Sequence, residues 1–181
     1  MEENRENKTL NVKDWITLST AMIAVVLTIL ALVWQERPSS GIVSATFLLM
    51  LSFIFFVNSV SSNSKANYET RAGNMPEGQI DRFVMFAEYS FGFGFTLVIT
   101  AFSILGYKYL LDFVGRELPV LFLPIVFLLT TWVIIFIYNC INYSGKVFKG
   151  LRSLKRNIWT LLEIVCLVFI IFDYFEIILI P

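Results

Sequence analysis

Residues 90–97 read Ser-Phe-Gly-Phe-Gly-Phe-Thr-Leu, SFGFGFTL. Two glycines alternating with phenylalanines in an apolar stretch admit two folds. One is a re-entrant loop whose backbone carbonyls face a cavity. The other is an uninterrupted membrane helix, in which every backbone group is satisfied internally. The flanks decide between them. The apolar run starts at Phe83, passes through both glycines and continues as TLVITAFSIL to Leu105, with Glu88 as its one charge.

A potassium-type selectivity filter, Thr-x-Gly-(Tyr/Phe)-Gly, needs a pore helix before it, an inner helix after it and entry from the outer side. Here Phe91 occupies the position where such filters carry a branched aliphatic residue, and nothing polar follows Gly94 before Thr96. The segment also begins beside a basic loop, the wrong side for a filter. The stretch therefore reads as helix. Glu88, Gly92, Thr96 and Thr100 then recur every fourth residue on one face, joined by Ser103. Small residues at that spacing let membrane helices approach closely, and Thr or Ser can hydrogen-bond across the contact. Gly92, Thr96 and Thr100 are the expected packing positions. Gly94 falls off the stripe and is expected to tolerate substitution.

The rest of the chain repeats this character. Of 181 residues, 57% are hydrophobic and 15% charged, against roughly a quarter charged in soluble domains. Net charge is zero, which argues against a nucleic-acid partner. There is no histidine, so Ser–His and Cys–His catalytic groupings cannot be built and the commonest metal ligand is missing. Cys140 and Cys166 lie in apolar stretches, as small buried hydrophobes do. No phosphate-binding loop, nucleophile elbow or metal-ligand cluster occurs. The sequence predicts no catalytic residue, metal or cofactor, and a protein that is not an enzyme.

A spanning helix needs roughly 20 apolar residues. Five stretches reach that length, about 15–34, 41–60, 83–105, 118–143 and 159–180. The expected fold is all-α: a polytopic bundle of five spans in one transmembrane domain, 15–181, preceded by a tail, 1–14. The first stretch is too long for a signal-peptide core and lacks an A-x-A site. The polar stretch 61–82 reads as a mobile loop. With five spans, the tail and loops 61–82 and 144–158 share one side and hold eleven Lys and Arg. Loops 35–40 and 106–117 hold three. That asymmetry places the N-terminus in the cytoplasm and the C-terminus outside, in the plasma membrane.

Acids inside such spans are functional candidates by default, because each costs at least ~2.5–3.5 kcal/mol to insert near the bilayer centre. On the last stretch Glu163, Asp173 and Glu176 share one side with Cys166, opposite a broad apolar face. The apolar face should meet lipid and the acidic face the interior. Asn58, Glu88, Asn139 and Glu163 are expected to form a polar layer in the cytoplasmic half. Asp173 and Glu176 form a second group, within reach of Arg37, Lys108 or Arg116. This pattern fits a cation or proton path in a small channel or transporter subunit. The competing reading is a non-catalytic scaffold or accessory subunit.

Residues 146–159, KVFKGLRSLKRNIW, place Lys146, Lys149, Arg152 and Arg156 opposite an apolar cluster, with Lys155 as the exception. Such a short amphipathic helix lies in the headgroup plane and is drawn to anionic lipid headgroups. The implied partners are the bilayer and further copies of the chain or other membrane proteins.

Overall fold

The computed structural model describes residues 2–35, 41–142 and 154–181, with side chains placed at 12–35, 41–134, 136–137 and 159–181. Five helices account for most of them: α1 (Glu2–Val33), α2 (Ile42–Ala72), α3 (Glu77–Val114), α4 (Leu118–Asn142) and α5 (Leu154–Tyr174). No strand occurs among the described residues. Among the described residues three helices are long and apolar enough to cross a membrane: Val12–Val33 of α1, α2 and α3.

The expectation of five spans is not supported. Within α4 the apolar helix among residues with placed side chains is Leu118–Ile134, which is not counted among the three. The last stretch was expected to be helical to Ile180, but α5 stops at Tyr174. From Trp159 to Tyr174 the rise is about 23 Å, short of the ~30 Å hydrocarbon core.

The largest departure lies in the polar stretch expected as a mobile loop. α2 continues to Ala72 and α3 starts at Glu77, leaving only 73–76 between them. Gly73, at φ 69°, donates its N–H to the Glu69 carbonyl and ends α2 with a left-handed cap. At 1.5 Å per residue α2 and α3 measure about 46 and 57 Å, so both outrun the ~30 Å core. The α2–α3 connection is a helical hairpin.

The chain forms two compact units, residues 1–36 with 48–98, and residues 37–47 with 99–181. In the first, buried positions recur at alternating steps of three and four: Leu49, Ser52, Phe56, Ser59, Asn63 and Ala66 on α2. On α3 they are Ala87, Ser90, Gly94 and Leu97; on α1 Val12, Ser19 and Val26 recur every seventh residue, followed by Leu30. This period of 3.5 is that of left-handed helix packing. Half of these seam residues are Gly, Ala or Ser, which allows close approach where lipid gives no hydrophobic drive. Ser19 and Ser59 share a hydrogen bond of 3.1 Å, and Asn58 Nδ2 donates to Ser90 Oγ at 2.7 Å. Phe91 packs edge-on to Trp15 and Phe56 at 5.1 and 5.5 Å, and Phe93 stacks on Phe55 at 5.5 Å.

In the second unit α3 is buried on two adjacent stripes, Thr100–Ser103–Tyr107 and Ala101–Ile104–Lys108. α4 contributes Val120, Pro124 and Leu128; α5 contributes Glu163, Cys166, Ile170 and Asp173. The remaining sides of α4 and α5 expose large apolar residues such as Phe122, Ile134, Leu161 and Val165.

Candidate functional site

SFGFGFTL lies wholly inside α3. The glycines behave differently from the expectation. Gly94 is the buried one: a Cβ there would stand 3.0–3.1 Å from the ring of Phe56. Gly92 is half-buried. The reason is register. The stripe was counted from Glu88, but Glu88 is exposed, and the buried face passes through its neighbours Ala87 and Ser90. Thr96 and Thr100 are buried.

The residues of the expected polar layer are divided between the two units. Asn58 bonds Ser90 in the first unit, whereas Glu163 belongs to the second. The side chain of Asn139 lies outside the described residues, as do those of Lys146, Lys149, Arg152, Lys155 and Arg156. The proposed amphipathic segment therefore has no described geometry.

Charge inside the second unit is concentrated at Asp173, on the last turn of α5. This carboxylate is 1% exposed and accepts four hydrogen bonds. Lys108 Nζ donates to both oxygens at 2.8 Å, Tyr107 Oη donates at 2.9 Å, and the Ile180 N–H donates at 2.7 Å. Lys108 is 4% exposed. It was assigned to a loop because a lysine ends a hydropathic run, but α3 continues past it to Val114. Its stem crosses Gly41, where a Cβ would meet Lys108 Cγ at 2.5 Å and where φ is +88°. Only glycine meets both demands cheaply. A buried ion pair repays its desolvation only with such saturation of lone pairs and donors.

Two further contacts close this region. The Ser44 N–H, in the first turn of α2, donates to the Pro181 carbonyl at 3.0 Å. Glu176 falls beyond α5 at φ 59°, with an exposed side chain that pairs with Arg116 at 2.5 Å. Thus Asp173 and Glu176 do not share a helix face, and each has its own cation.

Glu163 is buried on α5 and accepts a hydrogen bond from Trp132 Nε1 of α4. One turn on, the Cys166 thiol lies 4.0 Å from the Thr100 carbonyl. Tyr107, Trp132 and Gly41 were not singled out by sequence. Tyr107–Lys108 inside ILGYKYLL was the available signal for a buried polar pair at a helix end. Among the described residues no group of three potential metal ligands occurs.

Set beside known protein families, curated proteins and solved structures, the chain matches none of them.

Proposed function

We propose that this chain is a non-catalytic membrane scaffold or accessory subunit whose internal charges hold helices together. The observation that carries this reading is the saturation of Asp173 by Lys108, Tyr107 and Ile180. A carboxylate that accepts four internal hydrogen bonds from three donors has no lone pair left for a passing cation. The proposal includes a cytoplasmic N-terminus and an outer C-terminus in the plasma membrane, from the bias in basic residues, with Lys108 inside α3 and no longer among the outer-loop cations. It also includes anionic lipid at Lys146, Lys149, Arg152, Lys155 and Arg156, and assembly with copies of itself or other membrane proteins.

A second reading is a proton or cation path through Glu163. Its one described hydrogen bond comes from Trp132, so this buried acid is less engaged than Asp173. Proton and monovalent-cation flux in liposomes separates the two. The scaffold reading expects leakage equal to that of empty liposomes. Flux abolished by Glu163→Gln would overturn it and establish the conducting role. Neutralising Lys149, Arg152 and Arg156 should lower dependence on anionic lipid while leaving leakage unchanged.

A further inference from the structure

Residues 59–70 read Ser-Val-Ser-Ser-Asn-Ser-Lys-Ala-Asn-Tyr-Glu-Thr and stay helical within α2. Leu49, Phe56 and Asn63 follow one another at steps of seven on the packing seam, so the seam turns from apolar to polar past Phe56. Ser59, Ser62 and Glu69 are buried in the same turns. Ser59 is met by Ser19, and Glu69 accepts a hydrogen bond from Lys65 Nζ at 2.6 Å. Asn63 is 1% exposed, and its Nδ2 has no partner among the described residues; neither has Oδ1 of the half-buried Asn67.

A buried amide atom that meets nothing keeps its full desolvation cost, so each of the two needs a partner. Four residues apart on one helix, Asn63 and Asn67 have Cβ atoms about 5–6 Å from one another. Their unmet atoms are of opposite kind, a donor on Asn63 and an acceptor on Asn67. A cation would suit Oδ1 and be repelled by the Nδ2 hydrogens, and an anion would do the reverse. One molecule that both accepts and donates meets the two together. The burial of Asn63 admits only the smallest such molecule, and buried waters ordinarily bridge polar groups left unmet in this way. Ser64 and Lys65 are exposed in the same turn and Asn67 is half-buried, which gives water an approach from the surface.

We propose that Asn63 and Asn67 form a hydration site within the first unit, holding one water that accepts from Asn63 Nδ2 and donates to Asn67 Oδ1. The site uses neither Asp173 nor Glu163, so it stands apart from both functional readings above. Asn63→Leu displaces the amide and the water together and leaves the half-buried Asn67 free to turn to solvent.

The test follows magnetisation transfer from water protons to the side-chain amide of Asn63, by solid-state nuclear magnetic resonance on the full nitrogen-15-labelled chain in phosphatidylcholine bilayers. The reference is the backbone N–H of Leu49, fully buried on the same seam. Transfer to Asn63 should be faster than to Leu49. In Asn67→Leu, which removes the acceptor, it should fall to the Leu49 rate. In Asn67→Asp, which keeps an acceptor oxygen, the faster transfer should remain. Equal rates at Asn63 and Leu49 in the unmodified chain would show a protein group covering Nδ2 and overturn the proposal. Unchanged transfer in Asn67→Leu, or its loss in Asn67→Asp, would show that Asn67 does not hold the water and would overturn it too. If Asn67→Leu does not fold, the unmodified chain and Asn67→Asp still decide.

Discussion

Lys108→Met tests how the second unit is held. It removes the cation and keeps most of the stem that lies over Gly41. The carboxylate of Asp173, 1% exposed, would keep only Tyr107 and Ile180 as donors. Removing one member of a buried pair costs about 3–5 kcal/mol, because the other charge stays behind without compensation. Asp173→Leu should cost at least as much. It strands the Lys108 ammonium and leaves the Tyr107 hydroxyl and the Ile180 N–H without an acceptor. The double variant Lys108→Met/Asp173→Leu removes both charges and leaves only those two neutral donors, at about 1–3 kcal/mol each. The single costs should therefore not add: the double variant should be more stable than their sum by about 2 kcal/mol or more. Reversible unfolding in mixed micelles, followed by tryptophan fluorescence, reads all three. Single costs under about 1 kcal/mol, or additivity within about 0.5 kcal/mol, would refute the reasoning.

Three other substitutions probe the packing. Gly94→Ala should cost about 1–3 kcal/mol, since its methyl meets the fully buried Phe56 ring at 3.0 Å, and Phe56→Leu should relieve part of that in the same unfolding assay. Gly41→Ala should cost more than about 1 kcal/mol from backbone strain at φ +88°, with a steric part that shrinks when Lys108 is shortened to alanine. Asn63→Leu should be neutral or stabilising, because Nδ2 of this buried side chain has no described partner, and an unchanged or raised unfolding midpoint checks it.

These predictions also mark what could be read from residues alone. The continuity of α3 through SFGFGFTL was legible, because no polar break interrupts the apolar run. The division of α5 was legible too: Glu163, Cys166 and Asp173 are buried while Leu161, Ile164 and Val168 are exposed. An acid is too costly on the lipid side for the pattern to point elsewhere. Helix ends were not legible. Hydropathy locates where a chain leaves hydrocarbon, not where a helix stops, so the polar turns of α2 after Val60 resembled a loop. The same limit put Lys108 outside α3. The packing stripe failed for a different reason, an anchor on Glu88 rather than on the small residues Ala87, Ser90 and Gly94. The basic residues of 146–156 were read from charge pattern alone, and their side chains lie outside the described residues.

The central claim is that the charge inside this bundle is clamped rather than available to a passing ion. The direct measurement is the nitrogen–carbon dipolar contact between Lys108 Nζ and Asp173 Cγ, by solid-state nuclear magnetic resonance on protein in lipid bilayers. With Nζ at 2.8 Å from both carboxylate oxygens, a strong contact that persists at neutral pH and is lost in Asp173→Asn is predicted. Absence of that contact in the folded protein, with water protons exchanging freely onto the Asp173 carboxylate, would contradict it.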